Sequence, residues 1–195
     1  MSNKTAGLIN KKPILFNNIK KVGLMSYSLL AIETLLILIP LYIANSTAML
    51  LGGKTPIDFN QNFFDKKPLL GKGKTIKGTL FGMGTGIIAV LIVNYYFQGN
   101  VPIIQNYLYY GILLAAGAIL GDLIGSFIKR RMNINRGRPV LLLDQLDFVF
   151  GGLLLGSLIY NISIQMVFLI CVVTLFAHKT ANFIAFKFKL KKVPW

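Results

Sequence analysis

The 195-residue chain carries six acidic side chains, Glu33, Asp58, Asp65, Asp122, Asp144 and Asp147. Three of them stand inside apolar stretches and can do chemistry together. Asp122 lies about two turns before the end of one stretch, and Asp144 and Asp147 fall within about the first two turns of the next. The last two are three residues apart and share a helical face. A short basic loop joins the stretches, which makes them antiparallel neighbours and lets three carboxylates approach one point. An unpaired carboxylate in hydrocarbon costs about 2.5 kcal/mol or more. Hard oxygen ligands of this kind suit a magnesium ion, which would neutralise them. The same acids also allow a structural cluster paired with a lysine such as Lys129, or a proton or ion pathway.

Donors surround the acids. Ser126 is one turn beyond Asp122 and Lys129 almost two turns beyond, followed by Arg130, Arg131, Arg136 and Arg138. Carboxylates, lysines and arginines in one place can hold magnesium and several phosphates. A second basic segment, Pro68-Leu-Leu-Gly-Lys-Gly-Lys-Thr-Ile-Lys-Gly78, superficially resembles a Walker A loop. It lacks the first glycine, since position 68 is Pro68, and no strand precedes it. Gly71 and Gly73 still allow backbone amides to approach an anion, and Lys72, Lys74, Lys77 and Thr75 supply charge and a hydroxyl before a helix start. A loop that merely carries topology charges is the other reading. One cysteine, Cys171, and one histidine, His178, exclude a disulfide and a His-His metal site within the chain.

These groups need elements to position them, and the composition says in which solvent. Apolar residues make up 54% of the chain and charged residues 14%, with a mean hydropathy of +0.63. Such a chain could not cover itself with water-compatible side chains, so lipid is the main solvent. Five runs are long enough to cross about 30 Å of hydrocarbon: 24–44, 79–97, 107–128, 140–161 and 166–186. The expected fold is therefore all-α, a polytopic helical membrane protein with about five transmembrane helices and functional cytoplasmic loops. Residues 1–23 form a basic N-terminal segment and 24–195 a single domain.

Formal net charge is +15, from 21 Lys and Arg against 6 Asp and Glu, and it crowds into a few loops. Residues 53–77 hold six lysines and two aspartates, and 129–139 hold five basic residues and no acid. The loops 98–106 and 162–165 have no Lys or Arg. The positive-inside rule places 53–77, 129–139 and the lysine-rich tail in the cytoplasm. Five spans then put the N-terminus and Lys4, Lys11, Lys12, Lys20 and Lys21 outside, unless residues 9–22 lie in the interface. Anionic partners follow from the charge, namely membrane lipid headgroups, nucleotides or pyrophosphate, and nucleic acid does not suit so short an extramembrane portion. Glycines recur every fourth residue, at 78, 82 and 86, at 117, 121 and 125, and at 152 and 156. Small residues at this spacing let helix backbones pack closely in lipid.

Gly121-Asp-Leu-Ile-Gly-Ser126-Phe-Ile-Lys-Arg130, followed by Leu143-Asp-Gln-Leu-Asp-Phe148, resembles the signature of the membrane CTP-dependent cytidylyltransferases. The nearer resemblance is to their archaeal branch, the CDP-archaeol synthases. It rests on Asn45, on Pro56-Ile-Asp58, on Leu70-Gly-Lys-Gly-Lys-Thr75 with Gly78, and on the Asp-Gln-Leu-Asp form of the last motif. The similarity covers roughly residues 38–185. Two departures stand out. Asn135-Arg136 occupies the place where bacterial and eukaryotic relatives have Lys-Asp, and Lys77 stands where arginine is more usual.

The resemblance implies an enzyme that joins CTP to an isoprenoid glycerol ether phosphate lipid, releasing pyrophosphate. It implies magnesium on Asp122, Asp144 and Asp147, and phosphate contacts from Ser126, Lys129 and Arg130. Lys72, Lys74, Thr75 and Lys77, with Asn45 and Asp58, would hold the nucleotide. The cell membrane, with the site facing the cytoplasm, is the implied location. An intramembrane-carboxylate transporter and a magnesium-dependent membrane prenyltransferase are the competing readings. Glu33 keeps the first open, while the single Asp-x-x-Asp motif weakens the second.

Overall fold

The computed structural model of the chain describes residues 11–101, 103–135, 138, 140 and 142–189, and of 11–26 and 185 the helical backbone alone. Five helices follow one another among the described residues: α1 (Lys11–Leu50), α2 (Ile76–Tyr96), α3 (Tyr107–Arg131), α4 (Leu143–Gly156) and α5 (Ile164–Lys187). Among the described residues there is no sheet, only two isolated antiparallel bridges in the loop after α1. Four helices among the described residues are long and apolar enough to cross a membrane, over Tyr27–Leu50, Ile76–Tyr96, Tyr107–Arg131 and Ile164–Ile184.

The expected span over 140–161 is met by a helix of only 14 residues. At 1.5 Å per residue it covers roughly 21 Å, short of the hydrocarbon thickness. Both ends of the apolar run are turned out of the helix. Asp144 Oδ2 accepts from the Val140 backbone N–H at 2.9 Å, which ties Val140 to the first turn of the helix from outside it. At the other end Ser157 Oγ donates to the Leu154 carbonyl, and 157–159 form a turn. Hydropathy alone does not register either constraint. The first run differs in the opposite sense. Its helix begins by Lys11 and continues to Leu50, so Asn45 lies inside α1 instead of at its end.

Glycine decides how closely the helices meet. A Cβ on Gly117 would overlap the Gly151 carbonyl, and one on Gly121 would overlap the carbonyl of Asp147. On Gly125 it would strike the Asp147 side chain. The α3 glycine face is thus the bed on which the start of α4 lies. Gly78 and Gly82 let α2 approach the Ala48 and Ala44 carbonyls of α1 in the same manner.

Beneath the site the core is apolar, built around Leu41, Val90, Leu114 and Phe148, all fully buried. Pro40 interrupts the α1 ladder, because it has no N–H to offer the Leu36 carbonyl. Tyr107, itself buried, donates its hydroxyl to that carbonyl at 2.9 Å. This bond ties α3 to α1 and satisfies a backbone acceptor that lipid could not.

The glycine bed yields a paired expectation. Gly121→Ala should destabilise the protein by roughly 1–3 kcal/mol, as overpacked interfaces do. Gly84→Ala, where an added Cβ meets nothing within 4 Å, should leave stability unchanged or slightly raised. Thermal unfolding of the two variants in detergent distinguishes them, and equal melting temperatures would contradict the close-packing account.

Candidate active site

The site gathers where the C-terminal half of α1, the start of α2, the last turns of α3 and the start of α4 meet. The loop between α1 and α2 closes over it. That loop is ordered by one carboxylate. Asp58, 5% exposed, accepts from the backbone N–H of Leu70 and Gly71, both at 2.9 Å, and of Asn60 at 3.0 Å. Burial pushes its carboxyl up, but the Gly71, Leu70 and Asn60 amides together outweigh burial and hold it below the ordinary value of 3.8. Gly71 has φ +87°, a left-handed conformation that suits glycine.

The α3 C-terminus grips the same loop from the other side. Arg130 Nε donates to the Leu70 carbonyl at 3.3 Å and Nη1 to the Ile134 carbonyl. The Arg131 guanidinium lies 5.0 Å from the Phe63 ring centroid and 4.7 Å from that of Phe127. It also pairs with Asp65 at 3.2 Å and donates to the Pro68 carbonyl. Thr75 caps α2, its hydroxyl accepting from Gly78 N–H at 3.1 Å and from Gly53 N–H at 2.9 Å.

With the loop fixed, Lys74 reaches across to α3. Its ammonium donates to both carboxylate oxygens of Asp122 at 2.5 Å. Lys129 forms the matching pair with Asp144 at 2.5 Å. Asp147, 9% exposed, lies against Gly125 and accepts from its neighbour's N–H at Phe148. Among the described residues it takes part in no ion pair.

All three acids line a cavity of about 410 Å³, together with Asn45, Lys74, Thr75 and Lys129. Other residues expected at the site lie elsewhere. Asp58 and Arg130 are occupied in holding the loop, Ser126 is buried at 3% exposure without lining the cavity, and Lys72 is exposed. Lys77 faces away from the cavity, its ammonium 5.6 Å from the Phe81 ring centroid. Arg136 lies outside the described residues.

The expected convergence of three carboxylates takes a different form. Among the described residues no three acids, histidines or cysteines stand close enough to form a ready metal cage. Two of the acids are neutralised by lysines instead. The donor set nonetheless fits a hard divalent cation, because all three acids present oxygen to one cavity and Asp147 is buried without a cationic partner.

A family model described as CarS-like: CDP-archaeol synthase matches residues 26–195. The chain belongs to the CDP-archaeol synthase family. Family membership makes it an enzyme, a nucleotidyltransferase. A CDP-archaeol synthase of Methanocaldococcus jannaschii is 43% identical over 178 residues, covering 88% of this chain and all of the relative. One from Methanospirillum hungatei is 42% identical over 166 residues, covering 81% of this chain and all of that one. A solved structure described as an intramembrane enzyme for archaeal membrane lipids biosynthesis superposes with a TM-score of 0.70 at 37% identity, over 77% of this chain and 92% of that one.

Sequence reasoning missed several residues of this CDP-archaeol synthase fold. His178, thirty-one residues after Asp147, lines the cavity from α5, its ring 6.0 Å from those of Tyr42 and Phe148. The available signal was His178-Lys179 breaking the fifth apolar run. Ser46 and Thr79 also line the cavity, one helical turn or less from residues that were recognised. Asp65, Phe63 and Phe127 form the dock for Arg131, and nothing in their spacing announces it.

Asp58 generates a pH expectation. A folded carboxyl titrating below its unfolded value stabilises the loop fully above about pH 4 and loses that effect as pH falls through the folded value. Asp58→Asn should remove it at every pH. Amide hydrogen exchange at Leu70 and Gly71 should quicken at neutral pH in the variant and only in acid in the parent. Unchanged protection in the variant would show that other contacts hold the loop.

Proposed function

We propose that the cavity transfers the cytidylyl group of CTP to 2,3-bis-O-(geranylgeranyl)-sn-glycerol 1-phosphate, giving the CDP-lipid and pyrophosphate in archaeal membrane phospholipid biosynthesis. The observation that carries this reading is Asp147, a buried carboxylate without a cationic partner beside two acids that lysines neutralise. A cluster serving structure alone gains nothing from a third buried carboxyl beside two that lysines already pair.

A lipid phosphate monoester is largely dianionic at neutral pH, its second pKa being about 6. Its oxygen is already nucleophilic and requires no general base. It attacks the α-phosphorus of CTP, and the bond from that phosphorus to the bridging oxygen breaks, releasing pyrophosphate. The obstacle is repulsion among phosphates, so the site must supply positive charge and alignment. Asp122, Asp144 and Asp147 would hold magnesium, which supplies charge neutralisation and orientation of the triphosphate. Lys74 and Lys129 are the site's own cations. As nucleotide enters, each exchanges its carboxylate partner for phosphate oxygens, freeing Asp122 and Asp144. Thr75 and the first turn of α2 add a hydroxyl and the positive end of a helix. The apolar ether chains remain in lipid beside the bundle. The basic loops of 53–77 and 129–139 favour a cytoplasmic cavity in the cell membrane.

Transport is the weaker reading. Glu33, its main support, accepts from the Tyr160 hydroxyl at 3.0 Å. It stands twelve residues before Asn45 on α1, about 18 Å along the helix. Every other acid is at the cavity or in the loop after α1, so no relay of acids connects the two levels.

Purified protein in detergent, given labelled CTP, magnesium and lipid phosphate, should form a labelled lipid, and no product would overturn the proposal. Asp147→Asn should lower turnover by orders of magnitude while keeping or raising thermal stability, because a carboxyl whose charged form burial disfavours is replaced by a neutral group of the same shape. A stable, fully active variant would exclude Asp147 from the site.

Lys74→Ala should raise KM for CTP. Without magnesium it should also lose roughly 1–3 kcal/mol of stability, between values for exposed and buried pairs, since Asp122 loses its partner. Magnesium should restore the melting temperature if Asp122 is a ligand. Failure of that rescue would leave Lys74–Asp122 a structural pair.

A further inference from the structure

A second concavity, a groove of about 380 Å³, lies on the outer side of α2 and is lined by Gly53, Lys54, Thr55, Ile76, Lys77, Leu80 and Phe81. Its floor is apolar and open to the membrane, with Leu80 64% and Phe81 47% exposed on a helix long enough to span. Its rim carries two ammonium groups and no acid. Lys54 and Lys77 are both exposed, and among the described residues neither takes part in an ion pair. Lys77 lies along the apolar floor, its head 5.6 Å from the Phe81 ring centroid, as long cationic side chains do where hydrocarbon meets water.

Thr75 ties the rim of this groove to the rim of the cavity. The Thr75 hydroxyl holds Gly53 on the groove side and Gly78 on the cavity side, and both Thr75 and Gly78 line the cavity. Gly53 is also what allows the loop to press against Lys77, whose Cβ would stand 2.9 Å from an added Cβ there. We infer that the groove is the docking site of the lipid phosphate, with Lys54 and Lys77 on the phosphate and the chain along Leu80 and Phe81. This rests on the proposed cytidylyl transfer and names the place where its lipid substrate is first held. The match is one of charge and polarity: a dianion meets two unpaired cations, and an isoprenoid chain meets a lipid-facing apolar floor. Free phosphate or pyrophosphate shares the first feature and lacks the second.

The test measures KM for each substrate separately in wild type, in Lys54→Gln/Lys77→Gln and in the charge-keeping Lys54→Arg/Lys77→Arg. The neutral pair should raise KM for lipid phosphate about tenfold or more, given the attraction of each basic side chain near a membrane surface, and leave KM for CTP unchanged. The arginine pair should stay close to wild type. Binding of a fluorescent lipid phosphate without nucleotide should weaken in parallel, and inorganic pyrophosphate should not displace it. An unchanged lipid KM in the neutral pair overturns the inference, as does a rise confined to CTP or displacement by pyrophosphate. If wild type itself forms no CDP-lipid, it is the proposed reaction that fails, and the binding arm alone still decides whether the groove holds lipid phosphate.

Discussion

The close contact between α3 and α4 is the constraint on which the site depends. Gly117, Gly121 and Gly125 strip one face of α3 of side chains, and the start of α4 settles onto bare backbone. In lipid there is little hydrophobic force to press two helices together, so close backbone approach and the dispersion contacts it brings must do it. The consequence for chemistry is direct. Asp147 sits against Gly125 because nothing bulkier is there, and Asp122 and Asp144 come to the same cavity from the two facing helices. A thicker residue at any of the three positions would separate the acids before it altered any of them.

Charge is arranged around this contact so that the resting protein tolerates it. Three carboxylates close together at the edge of a membrane repel one another. Lys74, from the loop after α1, and Lys129, from the last turn of α3, each neutralise one acid. Both ammonium groups stand at the cavity, where the proposed polyphosphate would meet them. In the proposed reaction the two side chains that balance these acids would also bring positive charge to the phosphates.

Much of this was legible in the sequence, for identifiable reasons. Asp122, Asp144 and Asp147 interrupt apolar runs, and an acid in such a place needs a reason. Lys74 and Thr75 stand at a glycine-rich helix start, where anion chemistry is expected. The glycine spacing announced close helix contacts, although it did not say which helix would lie on which. What stayed hidden depended on distance in sequence or on competition between forces. His178 arrives from α5, far along the chain, and Arg131 finds Asp65 and Phe63 only once the loop has folded. The fourth apolar run looked long enough to cross, yet its acid turns back to cap Val140 and shortens the helix. Asp58 was expected at the nucleotide, but three backbone amides claim its oxygens.

The fastening of that loop bears on how fast and how tightly a nucleotide can be captured. A glycine-rich, lysine-rich segment left free would have to surrender its conformational entropy at the moment of binding, which weakens affinity and slows docking. Here Asp58, Arg130 and Arg131 remove that freedom beforehand, in the folding of the chain. A nucleotide bound there as proposed would meet a surface already shaped. What would remain to rearrange is the ends of two lysine side chains, a motion of nanoseconds set against the slower ordering of a loop.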